Sequence, residues 1–421
     1  MPWHLLPDTA AVGGDGGLVI GGCPVAKLAA EHGTPLFVYD EAHLRARCRE
    51  ALSAFGPGVA YAGKAFLCLA MARLVAEEGL HLDVATGGEL HVALAAGVAP
   101  DRLVVHGNNK SEAELRRARE VGVGRIVVDS FDELDRLERL HAADGRVPAV
   151  LLRVTPGIEA HTHAYVQTGQ DDSKFGFGVA AGAAAEAVER ARRSPAVELV
   201  GLHAHIGSQV FVADFFRQAV LAVAPLVRDL GVGELSIGGG LGVAYVEGEE
   251  APSIAQWGRA VRAAAGEAGL DGVHVTAEPG RAIVAAAALT VYEVGTVKDI
   301  PGVRTYVSVD GGMSDNPRPV LYGSGYEAFD PRAVLAPRPR RVTVVGKHCE
   351  SGDVLVRDAH VPASLAVGGL LATPVTGAYG HSMGSNYNKV ARPAVLFCRD
   401  GQARVVVRRE TDDDLLRLDA R

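Results

Sequence analysis

Lys64 is the first residue whose surroundings point to chemistry. It is the only charged residue in the apolar run VAYAGKAFLCLAMA (59–72). Desolvation favours the neutral amine of a lysine, which is the form that Schiff-base chemistry needs. The simpler alternative is a lysine that extends its charge to the surface. The functional interpretation is preferred only because the lysine directly follows a predicted strand.

Two glycine-containing segments have residue types suited to binding a phosphate. Gly238, Gly239 and Gly240 lie in SIGGGLG (236–242), where backbone N–H groups can approach an anion closely. A triple glycine alone usually indicates a turn, but AEPGR (277–281) follows on the next predicted strand and contains Pro279, Gly280 and Arg281. In HAHIGSQ (203–209), Ser208 offers a hydroxyl donor and His205 could lie flat against an aromatic cofactor, whereas His203 is predicted to be a core histidine.

Glu278 ends an apolar run, where a carboxylate is costly unless it has a partner. A protonated pyridine nitrogen would be a suitable partner. A carboxylate in that position keeps the ring cationic, so that the ring can accept electrons from a carbanion at Cα.

Eight short apolar runs, separated by helical patterns, predict the architecture that positions these residues. They are rich in Val, Leu and Ile, as parallel strands buried on both faces are. Two of the helices begin with predicted capping boxes, Ser111 with Glu114 and Ser130 with Glu133. The repeat predicts a (β/α)8 barrel with its active site at the carboxyl ends of the strands, and a doubly wound open sheet is the alternative. The runs are 58–62, 80–85, 102–106, 125–129, 149–154, 199–205, 234–238 and 273–278.

Beyond residue 288 the sequence changes to β-branched segments separated by Pro and Gly, which predicts an all-β domain. We therefore expect three parts: residues 1–35 completing the β domain, a barrel over 36–287, and the β domain over 288–421.

Composition excludes several classes of protein. The chain has 421 residues, of which 48% are hydrophobic and 22% charged, so it has enough apolar residues for a large core. A net charge of -8 without a basic block argues against a nucleic-acid partner. Five cysteines without a C-x-x-C pair argue against a structural zinc site or a disulfide framework, and we expect no bound metal. No secretory signal or membrane-spanning run is evident, so we expect a cytoplasmic protein without membrane contact.

Ten motifs together resemble the fold-type III pyridoxal-phosphate (PLP) decarboxylases, and most closely the diaminopimelate decarboxylases. The resemblance runs through most of the chain, and the last four motifs are highly specific as a set. The motifs are YAGKAF (61–66), LDVATGGEL (82–90), HGNNKS (106–111), EAHTH (159–163), GLHAHIGSQ (201–209), GGGLG (238–242), EPGR (278–281), VDGGMSDNPRPVLYG (309–323), GKHCESGD (346–353) and GAYGHSMGSNYN (377–388).

The resemblance implies a role for each of these residues. Lys64 would carry PLP as a Schiff base, Glu278 would face the pyridine nitrogen, and Cys349 would return a proton to Cα. The expected cofactor-binding residues are Lys64, Asp83, His205, Ser208, Gly238, Gly239, Gly240, Glu278, Pro279, Gly280, Arg281 and Tyr379. The expected substrate-binding residues are Arg281, Arg318, Tyr322, Glu350 and Tyr379.

The same resemblance implies a homodimer, because Cys349 and Glu350 reach the barrel of the other subunit in this family. The implied reaction is decarboxylation of meso-2,6-diaminopimelate to L-lysine, the last step of lysine biosynthesis. Two residues depart from the family pattern, His381 and Gly384, and they put the exact substrate in question. The alternatives are a same-fold decarboxylase of ornithine, arginine or a secondary metabolite, a racemase, and a non-catalytic PLP carrier. The carrier is disfavoured because such proteins lack the β domain.

Overall fold

The computed structural model describes residues 2–157, 173–180 and 182–420, and all structural statements refer to these residues. The motif EAHTH (159–163) lies outside them. The chain divides into two compact units, which are described separately. The first consists of Met1–Ala46, Val243–Glu250 and Ile283–Arg421, and the second of Arg47–Gly242 and Ala251–Ala282.

The second unit contains the predicted alternation of strands and helices. All eight apolar runs form strands, and one short additional strand, β10, pairs with β9. The chain first passes through β1 (Ala11–Val12), β2 (Leu18–Ile20), β3 (Cys23–Pro24), α1 (Val25–His32), β4 (Leu36–Asp40) and α2 (Glu41–Phe55). The strands of the second unit are β5 (Ala60–Ala62), β6 (His81–Val84), β7 (Leu103–Val105), β8 (Arg125–Val128), β9 (Ala149–Thr155), β10 (Phe177–Gly178), β11 (Glu198–Ala204), β12 (Glu234–Ser236) and β13 (His274–Thr276).

Helices connect these strands and explain why the sheet is parallel. Neighbouring strands pair in sequence order from β5 to β13, with β10 off the path, and every pairing is parallel. No helix in the described ranges combines the length and apolar character needed to cross a bilayer. The helices are α3 (Leu69–Glu77), α4 (Gly87–Ala95), α5 (Glu112–Val121), α6 (Phe131–Asp144), α7 (Ala183–Arg193), α8 (Ala213–Leu230), α9 (Ile254–Glu267) and α10 (Arg281–Val284).

The first and last strands of this sheet meet at a seam. The Ala60 N–H donates to the Ala277 carbonyl and the Ala62 N–H to the Pro279 carbonyl, each over 3.1 Å. Gly280 fits at the seam because a Cβ there would lie 2.9 Å from the Cβ of Ala62. The eight parallel strands therefore close on themselves, which confirms the predicted (β/α)8 barrel and excludes the open sheet.

One of the two predicted capping boxes is complete. Ser111 accepts from the Glu114 N–H while the Glu114 carboxylate accepts from the Ser111 N–H, at the start of α5. Ser130 caps α6, but the Glu133 carboxylate accepts instead from the Asp129 N–H and pairs with buried Lys110 at 2.8 Å. The second box is therefore wrong, because an unpaired buried lysine would cost more than an open N-cap bond.

The first unit contains the predicted β-rich region. Its main sheet has the order β17-β16-β15-β14-β4-β19-β20, and β18 pairs with β14. Strand β4 joins this sheet between β14 and β19, so residues 36–46, which we grouped with the barrel, belong to the first unit. Its remaining elements are β14 (Ala288–Ile300), β15 (Arg304–Val309), α11 (Arg318–Tyr322), β16 (Arg340–Val345), β17 (Val354–Val361), β18 (Leu370–Pro374), β19 (Ala394–Arg399), β20 (Gln402–Val407) and α12 (Asp412–Leu416).

Candidate active site

Glu278 is the centre of a buried polar group at the carboxyl ends of the barrel strands. It follows β13 and is 5% exposed. Its Oε1 accepts a hydrogen bond from Ser236 Oγ of β12 over 2.8 Å, and its Oε2 lies 3.1 Å from His203 Nε2 of β11. His106, which follows β7, places its Nε2 3.4 Å from Oε1. Side chains from three other strands thus converge on one carboxylate.

These partners decide the protonation of Glu278. Burial favours its protonated form, but the charges of His106 and His203 and the hydrogen bond with His203 hold the pKa of the carboxyl well below its usual range. Burial likewise disfavours the charged form of His106, yet the carboxylates of Asp83 and Glu278 outweigh it and raise the pKa of His106. The site therefore keeps a negative charge at Glu278 in a desolvated place.

Asp83 and Lys64 extend this group along the strand ends. Asp83 of β6 is buried, and burial together with the Glu278 charge raises its pKa to about 6, against the opposing charges of His106 and Lys64. Lys64 lies in a short 3-10 helix, Gly63–Ala65, directly after β5. We expected a partly desolvated lysine, but the side chain is exposed although its neighbours Gly63 and Ala65 are buried. Lys64 is exposed because the strand ends at the open face of the barrel, where a lysine reaches solvent.

The glycine run lies next to His205. The Gly239 N–H donates to His205 Nδ1 over 3.1 Å. A Cβ on Gly239 would come within 2.4 Å of the Glu278 carbonyl, and one on Gly240, whose φ is +114°, within 2.3 Å of the Gly207 carbonyl. Desolvation, followed by the charge of Lys64, lowers the pKa of His205 well below its usual range, so this ring is neutral. The loop requires glycine because other backbone passes too close for a side chain.

Ser208 and Arg281 meet beside that loop. Arg281 is buried, begins α10, and donates from Nη2 to Ser208 Oγ over 2.8 Å. A guanidinium, a hydroxyl and glycine N–H groups are the donors that a phosphate binds. The structure thus brings together Lys64, Asp83, His205, Ser208, Gly238–Gly240 and Glu278–Arg281 at the strand ends of one barrel.

The first unit holds a separate group around Arg318. This residue begins α11 and is 3% exposed. Its guanidinium donates to Tyr326 Oη over 2.7 Å and to Ser324 Oγ over 3.1 Å, and it lies 4.0 Å from the ring centroid of Tyr245. Among the described residues, no carboxylate forms an ion pair with it, and its Nε has no hydrogen-bond partner. A buried cation surrounded by neutral groups is suited to an incoming carboxylate.

The other predicted residues of the first unit are exposed or half-buried, and they lie on loops or at the end of a short helix. Cys349 and Glu350 are exposed in the turn after β16, and Tyr322 ends α11. Tyr379 is half-buried with a left-handed φ of 59°, and its hydroxyl contributes to raising the pKa of Arg318. The roles expected for these residues stay predictions.

From the sequence, His106 and Ser236 were given no role and His203 was assigned only to the core. Both histidines and the serine contact Glu278, so they hold its charge. The available signal was position, because all three lie near the carboxyl ends of strands: His106 directly follows β7, Ser236 ends β12 and His203 is the next-to-last residue of β11.

Comparison with known proteins agrees with this geometry. A family model described as "Pyridoxal-dependent decarboxylase, pyridoxal binding domain" matches residues 41–285, more than half of the chain. The diaminopimelate decarboxylase of Mycobacterium tuberculosis is 49% identical over 427 residues, covering 96% of this chain and 95% of that protein. That of Bacillus subtilis is 45% identical, with coverage of 96% and 95%. A solved structure of the M. jannaschii diaminopimelate decarboxylase with L-lysine superposes with a TM-score of 0.91 at 31% identity, covering 98% of each chain.

The barrel, its glycine loop and its buried carboxylate therefore define a pyridoxal-dependent decarboxylase. The identity over nearly the whole length narrows this class further. The chain belongs to the diaminopimelate decarboxylase family.

The residues present fit the cofactor of this class. A pyridinium nitrogen needs an anionic partner out of water, and Glu278 is a carboxylate kept ionised while buried. A phosphate needs backbone without side chains that it can approach closely, and no side chain fits at Gly239 or Gly240, where a Cβ would meet the Glu278 or the Gly207 carbonyl. Neutral His205 lies against the same loop.

The electrostatic coupling of Glu278 and His106 gives a testable pH dependence. In a Glu278→Gln variant the negative charge that raises the pKa of His106 is lost, so the pKa of His106 falls and the ring loses its proton at a lower pH than in the parent. NMR titration of histidine-labelled, cofactor-free protein measures this, with His106→Asn to assign the signal. Glu267→Gln is the control, because Glu267 pairs with Arg217 at the surface. An unchanged or higher pKa of His106 in Glu278→Gln would contradict the assignment.

Proposed function

We propose that this chain removes one carboxyl group from meso-2,6-diaminopimelate to give L-lysine and CO2, with PLP bound covalently at Lys64 Nζ. The observation that carries the proposal is the barrel site built around buried, ionised Glu278. In the first unit, buried Arg318 is by itself suited to binding a carboxylate. The relatives named above support the substrate, and the L-lysine in the M. jannaschii structure is the product that this reaction would give.

The barrel residues divide the binding of the cofactor among them. Gly238–Gly240, Ser208, Pro279, Gly280 and Arg281 are placed to hold its phosphate, Glu278 its ring nitrogen, and His205 its ring face. Asp83 lies beside Lys64, whose amine is exposed and thus accessible to an aldehyde. When bound, PLP accepts the electron pair that the departing CO2 leaves at Cα.

The chain's own residues manage the protons and the charges of the reaction. Ionised Glu278 would keep a proton on the pyridine nitrogen of the cofactor. Cys349 Sγ would supply the proton that replaces the lost carboxylate at Cα. Arg318, with Arg281, would bind the carboxylate that is retained, through the paired N–H groups of its guanidinium. Glu350, Tyr322 and Tyr379 would contact the far end of the substrate.

Two further features belong to the proposal. Because the Cys349–Glu350 turn is exposed, we propose that it completes the site of a partner subunit in a homodimer, as in the family it resembles. None of the five cysteines forms a disulfide, which suits the reducing cytoplasm that we propose as its location.

The first test is Lys64→Ala. This variant should release CO2 from meso-2,6-diaminopimelate at least about 10³-fold more slowly, since the covalent attachment of the cofactor at Nζ is lost. Borohydride reduction of the parent, followed by peptide mass spectrometry, should place the cofactor mass on the peptide that contains Lys64. Lys27→Ala is the control, as Lys27 is exposed and pairs only with Glu31. Turnover at the parental rate in Lys64→Ala would rule the proposal out.

The second test is Arg318→Lys, which keeps the charge but removes the planar pair of donors. Because a hydrogen bond to a charged group contributes ~1.5–3 kcal/mol, kcat/KM for meso-2,6-diaminopimelate should fall roughly 10–100-fold, chiefly through KM. Arg304→Lys provides the matched control, since its guanidinium also lies over a tyrosine ring, that of Tyr306. If both variants keep parental kinetics, Arg318 does not bind the substrate.

A further inference from the structure

Tyr387, in the motif GSNYN (384–388), contacts a residue of the proposed substrate site. Its hydroxyl donates a short hydrogen bond to Oε1 of the Glu350 carboxylate. The two residues are far apart in sequence, and Tyr387 begins a short 3-10 helix, Tyr387–Lys389. The proposed function gives Tyr387 no role.

The backbone that carries Glu350 is held from within the turn. The Asp353 carboxylate accepts from the His348 N–H over 3.0 Å and from the Met313 N–H over 2.7 Å, and the Asp353 N–H donates to the Glu350 carbonyl over 3.1 Å. Gly346 lies so close that a Cβ there would be 2.1 Å from Asp353 Oδ2. With the backbone fixed, the remaining freedom of Glu350 is that of its side-chain rotamers, whose ordering costs conformational entropy.

Tyr387 is itself supported by a fixed ring. The centroids of the His348 and Tyr387 rings are 5.4 Å apart. His348 Nδ1 lies 3.1 Å from Asn388 Oδ1, and His348 Nε2 lies 2.8 Å from Ser314 Oγ. Because an amide oxygen only accepts, Nδ1 carries the hydrogen, and in the neutral ring Nε2 accepts from the Ser314 hydroxyl. Both ring nitrogens of His348 are therefore hydrogen-bonded, which fixes the orientation of the ring.

We propose that Tyr387 is a positioning residue that fixes the Glu350 carboxylate for the distal ammonium group of the substrate. A neutral hydroxyl orients a carboxylate and leaves its charge in place. A lysine or arginine in the same position would neutralise that charge. Engaging Oε1 also sets where Oε2 lies, so that the carboxylate is ordered before substrate arrives. The inference rests on the proposed function, because it presumes that Glu350 contacts substrate.

Kinetics of the PLP-loaded enzyme test this role. Tyr387→Phe should raise KM for meso-2,6-diaminopimelate about 10–100-fold, the loss of one hydrogen bond to a charged group, and change kcat less than about 2-fold. In a cycle with Glu350→Gln, the double variant should behave as Glu350→Gln alone, since the hydroxyl acts only through that carboxylate. Tyr306→Phe, in β15, is the control and should keep parental kinetics. An unchanged KM in Tyr387→Phe, or effects that add in the double variant, would overturn the proposal.

A spectroscopic titration separates this inference from the proposed function. The hydrogen bond to Glu350 raises the pKa of Tyr387, so in Glu350→Gln the pKa of Tyr387 should fall. The tyrosinate absorbance of Tyr387 is obtained by subtracting the Tyr387→Phe titration from its parent, in both the native and the Glu350→Gln backgrounds. A parental enzyme that leaves meso-2,6-diaminopimelate intact would refute the proposed function. An unchanged pKa of Tyr387 in Glu350→Gln would refute the inference, whatever the enzyme turns over.

Discussion

The barrel has to keep the Glu278 carboxylate ionised where water cannot solvate it. Removing such a group from water costs several kcal/mol unless hydrogen bonds and opposite charges replace the water. Ser236, His203 and His106 supply them, and each comes from a different strand or strand end. The register of β7, β11, β12 and β13 is therefore tied to one side chain, because a shift of one residue would turn a partner away.

The contacts at the seam of the barrel also fix the position of Lys64, the proposed attachment point of the cofactor, relative to Glu278. The Ala62–Pro279 hydrogen bond and the close approach of Gly280 hold the end of β5 against the chain that follows β13. Lys64 and Glu278, which are distant in sequence, thereby lie at adjacent strand ends. The same stretch then places Arg281 on Ser208. The same contacts thus close the sheet and bring the residues of the cofactor site together.

Patterns within short segments predicted much of this. All eight barrel strands were predicted from apolar runs, because parallel strands buried on both faces are apolar almost throughout. Contacts between side chains that are distant in sequence were not predictable. The Glu133 carboxylate pairs with buried Lys110 and does not complete its capping box. His106 and His203 contact Glu278. The exposure of Lys64 was missed because an apolar run does not reveal where a barrel opens. The contact of Tyr387 with Glu350 joins two loops whose spacing in sequence carries no signal.

The most direct test is to incubate the purified protein and PLP with meso-2,6-diaminopimelate, and to measure lysine and CO2 together. Ornithine, arginine and the other stereoisomers of diaminopimelate serve as competing substrates. We expect equal amounts of L-lysine and CO2 from the meso isomer, and far slower release of CO2 from ornithine and arginine. Faster CO2 release from ornithine or arginine, or interconversion of the isomers without CO2, would contradict it.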